Sequence, residues 1–186
     1  TALRLEGEKA LSLKYGENPH QTAAFYRLGG APGVGLAAMK PLHGPALGYN
    51  NLLDFSAALA LLLEFEDPAA VVIKHTNPCG AGLGATPAEA LRKAKASDAV
   101  SIFGGIVGVN RPVDLDVVKE LSGIFIEILF APAYAADALE GHLVAARQAR
   151  DLLHARGDGD RLEVGDGGVD DTGVLQHGQH LGRAIK

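Results

Sequence analysis

Residues 69–96 read AAVVIKHTNPCGAGLGATPAEALRKAKA, and the way this stretch divides decides the fold class. Ala69 to Ile73 is a short apolar, β-branched run that ends at Lys74, as a buried strand does. Thr86-Pro-Ala-Glu89 is a helix start: Thr86 can cap, Pro87 fits the first turn, and Glu89 can close a capping box. That helix is expected to run to about Ala96. Further along, Ser101 to Val109 reads as a strand, Asp114 to Leu121 as a helix and Phe125 to Phe130 as a strand. The order strand–helix–strand–helix–strand predicts an α/β fold with parallel pairing and right-handed crossovers. Toward the N-terminus, Asp54 is expected to cap a helix to about Glu66, with Phe55, Leu59, Leu62 and Leu63 apolar. Ala23 to Arg27 reads as a short strand, and Lys14 to Gln21 and the Gly/Pro-rich Gly29 to Gly35 as loops.

The composition bounds the function. At 186 residues, 47% hydrophobic and 21% charged, the chain is an ordinary globular sequence of one domain or at most two small ones. Its 24 glycines are nearly twice the usual share of about 7%, which predicts tight turns and backbone-lined pockets. A single cysteine excludes an internal disulfide framework and a multi-cysteine zinc site, and a lone thiol suits a reducing cytoplasm. A net charge of −5 argues against a general nucleic-acid binder. Glu127 interrupts the longest apolar candidate, Gly123 to Ala136, and the opening residues are too charged for a secretory signal. Neither a membrane nor export is expected.

The densest polar constellation is Lys74-His75-Thr76-Asn77-Pro78-Cys79-Gly80, directly after the buried strand. Ligands of open α/β sheets collect beyond the carboxyl ends of parallel strands, so the position is suggestive. An imidazole supplies a proton acceptor and an ammonium can stabilise an oxyanion. Adjacent strand residues point to opposite faces, so both groups reach one substrate only if the strand ends there; Asn77-Pro78 supports an extended turn at that point. On these residues alone, a solvated strand-end lysine and a structural histidine explain the pattern equally well. Cys79 lacks the second cysteine of a zinc deaminase and reads as a small packing residue. Gly80-Ala-Gly-Leu-Gly-Ala85 fits a relaxed dinucleotide fingerprint, with Asp98 loosely placed for a ribose, which keeps a dinucleotide-binding domain as a distant alternative. Tyr15, Asn18 and His20 share one polar loop, and Asn50-Asn51 with Asp54 reads as a helix entry. The two glycines of Ser101-Ile-Phe-Gly-Gly105 mark a bulge or a close approach to ligand. Glu127, in a buried run, needs a partner or a solvated strand end.

Five segments, LKYGENPHQTAAFY (13–26), LGYNNLLDFSAAL (47–59), VVIKHTNPCGAG (71–82), SDAVSIFGGIVGVNRPVD (97–114) and FIEILFAPAY (125–134), occur in this order. Together they resemble the transformylase domain of the bifunctional purine-synthesis family that joins AICAR formyltransferase to IMP cyclohydrolase. The resemblance implies a three-layer, cytidine-deaminase-like α/β fold without zinc, with a mainly parallel sheet and helices on both faces. It implies formyl transfer from 10-formyltetrahydrofolate, as cosubstrate, to the 5-amino group of AICAR, in a cytoplasmic homodimer that needs no metal. On the same resemblance His75 is the proton acceptor and Lys74 the oxyanion stabiliser. Lys14, Tyr15, Gly104 and Glu127 match positions that contact AICAR, and His20 and Asn51 match positions near the site.

The sequence also departs from that pattern. Lys14 stands where the family usually has Arg, and a lysine cannot grip phosphate bidentately. The motif GKxLSYNN appears as Gly44-Pro-Ala-Leu-Gly-Tyr-Asn-Asn51, losing a Lys and a Ser. The matching segments suggest the first half of a transformylase domain over residues 1–140, with the cyclohydrolase domain and most folate contacts outside it. Residues 141–186 are expected to be a non-matching tail, helical from Ala138 to about Arg156 and irregular after it, from an out-of-frame or otherwise aberrant continuation of the gene. A truncated domain that binds without turnover is therefore the alternative to a catalytic fragment.

Overall fold

The structure, a computed structural model, describes residues 2–29, 35–141 and 173–176. Two strands, β1 (Gly7–Ser12) and β2 (Ala24–Leu28), form a separate antiparallel ribbon. A 3₁₀ turn at Gly35–Ala38 leads into β3 (Lys40–His43). There follow α1 (Tyr49–Leu62), β4 (Ala69–Lys74), β5 (Asn77–Leu83), α2 (Pro87–Ser97), β6 (Gly105–Val109), α3 (Leu115–Leu121) and β7 (Ile126–Ala131). The last described strand is β8 (Gly173–Gln176). The main sheet has the order β3-β8-β7-β6-β4-β5.

Helices cover both faces. Phe55, Leu59 and Leu62 of α1 pack on Val71, Ile73, Ile106, Ile128 and Phe130 on one face. Leu91 of α2 and Val117 and Leu121 of α3 pack on Val72, Val107, Val109 and Leu129 on the other. The strands alternate between these two apolar layers, which is why they read as nearly continuous hydrophobic runs. Phe55 and Phe130 meet edge to face, with centroids 4.6 Å apart, and tie α1 to the centre of the sheet.

The sheet is mixed, not mainly parallel. β6, β7 and β8 run parallel, but β4 pairs antiparallel with both β5 and β6, and β3 antiparallel with β8. The reason is β5, which sequence reading takes for a loop. Instead of an extended turn, the chain reverses in a two-residue hairpin at His75-Thr76, with Lys74 paired to Asn77. The following crossover through α2 then delivers β6 parallel to β5 and antiparallel to β4. The α3 crossover joins parallel β6 and β7 as expected.

The Gly-rich segment 80–84 lies in and just after β5 and against α2, and makes no turn off a strand into a helix as the dinucleotide fingerprint requires. A Cβ on Gly80 would fall on the carbonyl oxygen of Ala94, and one on Gly82 on that of Ala90. Bare backbone is what lets the helix sit this close to the strand. Gly80→Ala is expected to lower unfolding stability by about 1–3 kcal/mol, measured by urea denaturation; an unchanged midpoint would contradict this packing.

Helix boundaries differ from expectation chiefly in α1, which starts earlier than read and ends at Leu62 instead of near Glu66. α2 starts at Thr86 as read, its Oγ1 accepting the Glu89 N–H at 3.1 Å, but the Glu89 carboxylate accepts the N–H of Ala85 (2.9 Å) and not that of Thr86. Asp114 caps α3, accepting from Asp116 and Val117 N–H. Asp54, however, does not cap α1. The cap is Gly48, whose N–H donates to Asn51 Oδ1 at 2.9 Å, so Asp54 lies inside the helix. Residues 101–104, read as strand, are a turn ahead of β6. Residues 136–141 are helical, and the rest of the helix read to Arg156 lies outside the described residues, as does 30–34 of the Gly/Pro loop. Within the segment read as irregular, residues 173–176 form β8 between β3 and β7.

At the far end of the sheet from Lys74, Asn110 fastens the loop before β4. It accepts the Ala69 N–H at 2.8 Å and donates to the carbonyls of Phe65 (3.0 Å) and Asp67 (2.8 Å). Among the described residues no helix is long and apolar enough to cross a membrane.

Candidate functional site

The end of β4, the hairpin that follows it, the start of α1 and the entries to β6 and β7 meet at one edge of the sheet. Because β4 is antiparallel to β6 and β7, this edge is the carboxyl end of β4 but the amino end of the parallel strands. The rule that ligands sit beyond the carboxyl ends of parallel strands therefore does not account for this location.

Lys74 is half-buried, and its Nζ donates to the Phe103 carbonyl at 2.8 Å. Gly104 makes that approach possible: its φ of +71° turns the chain immediately after Phe103, and its N–H donates to Phe125 O at 2.8 Å. A Cβ at Gly104 would stand 4.0 Å from Lys74 Nζ, so this backbone lies beside the ammonium. The rings of Phe103 and Phe125 pack together, with centroids 5.6 Å apart.

His75 and Thr76 carry the hairpin turn, with φ of 52° and 62°. Positive φ at both central positions is the requirement of a type I′ hairpin, usually met by Asn or Gly. His75 is exposed, and its carbonyl accepts from Thr76 Oγ1 (2.7 Å) and Asn77 Nδ2 (2.9 Å). Asp54 of α1 accepts both turn amides, from Thr76 at 2.7 Å and from His75 at 3.3 Å.

Glu127 is brought to the same edge by an irregularity in β7. Gly105 pairs with Ile126 and Ile106 with Ile128, so Glu127 is the extra residue of a register shift. Ile126 packs on the α2/α3 side and Ile128 on the α1 side, and the slip between them aims the carboxylate at α1. There Glu127 Oε2 accepts from Asn51 Nδ2 at 2.6 Å. Burial raises the Glu127 carboxyl above its ordinary range; the Asn51 hydrogen bond opposes this, Asp54 adds to it, and the positive charges of Lys74 and His75 oppose it. A carboxyl raised on folding favours its protonated form in the native state. Its contribution to stability is thus full below the unfolded value and is lost as pH rises through the folded value. Glu127→Gln, which keeps an acceptor for Asn51, is expected to melt above wild type at pH 7. The gap should close as pH falls below the ordinary carboxylate range, followed by thermal melts across pH; a gap that widens in acid would refute this sign.

Lys14 and Tyr15 lie along the start of α1. Lys14 N–H donates to Leu47 O at 2.8 Å and Tyr49 N–H to Tyr15 O at 3.1 Å. The Tyr15 ring rests on Gly48, and Lys14 is exposed with Nζ 5.8 Å from that ring's centre. The structure therefore brings Lys74, His75, Gly104, Asn51 and Glu127 together and sets Lys14-Tyr15 at the neighbouring helix end. His20 is exposed in the 16–21 turn, and no hydrogen bond among the described residues links it to the cluster.

Two participants escape sequence reading: Asp54, taken for a cap, and the Phe103 carbonyl. Asn51 and Asp54 are three apart and so share a helix face, the one signal that could have pointed to Asp54. Cys79 is half-buried, packs against the α2/α3 layer, and donates to Ser101 O at 3.8 Å. Burial first and then Asp98 push its thiol up, which suits packing better than nucleophilic attack. Asp98 is occupied by Ser101, accepting its Oγ at 2.6 Å and its N–H at 2.9 Å. No group of three or more His, Cys, Asp or Glu among the described residues is placed to hold a metal.

Residues 1–173 match the family described as the AICARFT/IMPCHase bienzyme. The chain belongs to this family. Its AICARFT/IMPCHase relatives include the bifunctional purine biosynthesis protein PurH of Anoxybacillus flavithermus, 54% identical over 132 residues, which are 71% of this chain and 26% of that protein. The PurH of Halalkalibacterium halodurans is 49% identical over 139 residues, 75% of this chain and 27% of the relative. That of an Anaeromyxobacter species is 56% identical over 127 residues, 68% and 24% respectively. The chain thus spans about a quarter of the length of these bienzyme relatives.

Proposed function

We propose that this chain carries the nucleotide side of a formyl-transfer site, in which the 5-amino group of AICAR takes the formyl group of 10-formyltetrahydrofolate. The observation that carries the reading is the meeting of an ammonium, an imidazole and a carboxylate at one sheet edge, in a family whose relatives are named for purine biosynthesis. The chemistry needs such a set. The amine lone pair of AICAR is delocalised into its ring and carboxamide, so attack on the formyl carbon must be accompanied by loss of a proton.

His75 takes that proton from the amine as the new C–N bond forms. The formyl oxygen becomes an oxyanion, and the Lys74 ammonium, already beside the backbone of Phe103 and Gly104, stabilises it. The bond to N10 of the folate then breaks, N10 recovers a proton from the imidazolium, and formyl-AICAR and tetrahydrofolate separate. Glu127, steadied by Asn51, accepts an N–H of AICAR, Tyr15 and the Gly104 backbone line the nucleotide, and Lys14 meets its phosphate as a point charge. His20 stays near the entrance. No metal takes part. The same reading places the chain in a cytidine-deaminase-like layering and a cytoplasmic homodimer.

The test is formation of formyl-AICAR by the chain given AICAR and 10-formyltetrahydrofolate. Turnover that His75→Ala removes supports the reading. Turnover surviving that substitution takes His75 out of its role, and AICAR binding without turnover identifies a non-catalytic domain.

A further inference from the structure

We propose that Asp54 is the positioning residue of this site, holding the His75-Thr76 turn in the left-handed conformation that directly follows Lys74 at the end of β4. A left-handed backbone is uncommon at a non-glycine residue such as His75, and for β-branched Thr76 it is a genuine outlier. Such a turn persists only if its surroundings impose it. The hydroxyl of Thr76 and the amide of Asn77 bind the His75 carbonyl from within the turn. The contacts from outside come from Asp54, whose two carboxylate oxygens each accept one of the two turn amides. Asp54 stands one helical turn beyond Asn51, which holds Glu127. The first turns of α1 therefore set the carboxylate through Asn51 and the Lys74-His75 pair through Asp54, so one rigid element spaces both halves of the site. Among the described residues the hydrogen bonds to the Asp54 carboxylate come from the two turn amides, so its hold on the site runs through the turn.

The consequence for formyl transfer rests on the function proposed above; the ordering of the turn does not. Amide hydrogen exchange by NMR on the full chain tests the latter. Asp54→Ala is expected to speed exchange of the His75 and Thr76 amides at least about tenfold, with Val71 and Val72 of β4 within about twofold. Asp54→Asn, which retains one acceptor oxygen, should fall between. In turnover, Asp54→Ala is expected to lower kcat about tenfold or more with KM for AICAR within about threefold. Adding Thr76→Gly, which removes the β-branched residue from its unfavourable φ, should recover part of that loss.

Unchanged exchange at His75 and Thr76 in a folded Asp54→Ala protein overturns the assignment, and so does faster exchange with unaltered kcat. A wild-type chain that makes no formyl-AICAR sinks the reaction reading instead, while exchange still decides whether Asp54 orders the turn. Should Asp54→Ala fail to fold, Asp54→Asn carries both readouts.

Discussion

His75→Asn is expected to lower the rate of formyl transfer to AICAR by about 10²- to 10⁴-fold, the range for loss of a positioned general base. Asparagine is the informative replacement because it tolerates the left-handed backbone observed at position 75. The turn amides can then still donate to Asp54, and the change is confined to the imidazole. AICAR affinity should stay within about threefold, since a proton acceptor acts on the step and not on ground-state binding. Rate measurements paired with a binding titration separate the two quantities. A rate within about threefold of wild type, with the variant folded, would show that another group takes the proton.

Lys74→Met is expected to cost about 10²- to 10³-fold in kcat, the range for removing one oxyanion-stabilising donor. Methionine keeps the length and apolar stem of the side chain and removes only the charge and the donor. In the resting protein the ammonium is bonded to the Phe103 carbonyl, so the loss leaves an acceptor that is free to meet water at this edge. Unfolding stability should therefore move much less than the rate. The charge appears on the substrate oxygen only in the transition state, so kcat should fall and KM for AICAR should not rise in proportion. A rise in KM that accounts for the whole effect would assign Lys74 to nucleotide binding. Single-turnover kinetics, which isolate the chemical step, distinguish the outcomes.

Strong local signals were legible in the sequence: the apolar run of β4, the Thr86 cap of α2, the helix α3 and the strand at β7. Side-chain periodicity is what such reading detects, and β5 has little of it. Its glycines are there for the close approach of α2, and to the eye they resemble a phosphate-binding loop. Missing β5 reversed the inferred direction of β6 against β4. The start of α1 misled for a related reason: Asp54 looks like a cap, while the functioning arrangement pairs a side-chainless Gly48 with Asn51. Motifs named Lys74, His75, Asn51 and Glu127 as candidates, but not Asp54 or the Phe103 carbonyl, and not the way these groups meet. Glu127 reaches α1 through a register slip, and Asp54 reaches the hairpin across the fold, and neither leaves a trace in local pattern.

The proposal that Lys14-Tyr15, Glu127 and the Lys74-His75 hairpin meet on one nucleotide is most directly tested by calorimetric titration of the chain with AICAR alone. A saturable heat that Glu127→Gln weakens and His75→Asn leaves nearly unchanged is the expected result. Absence of saturable binding up to about millimolar AICAR, a free energy weaker than about −4 kcal/mol, would contradict it.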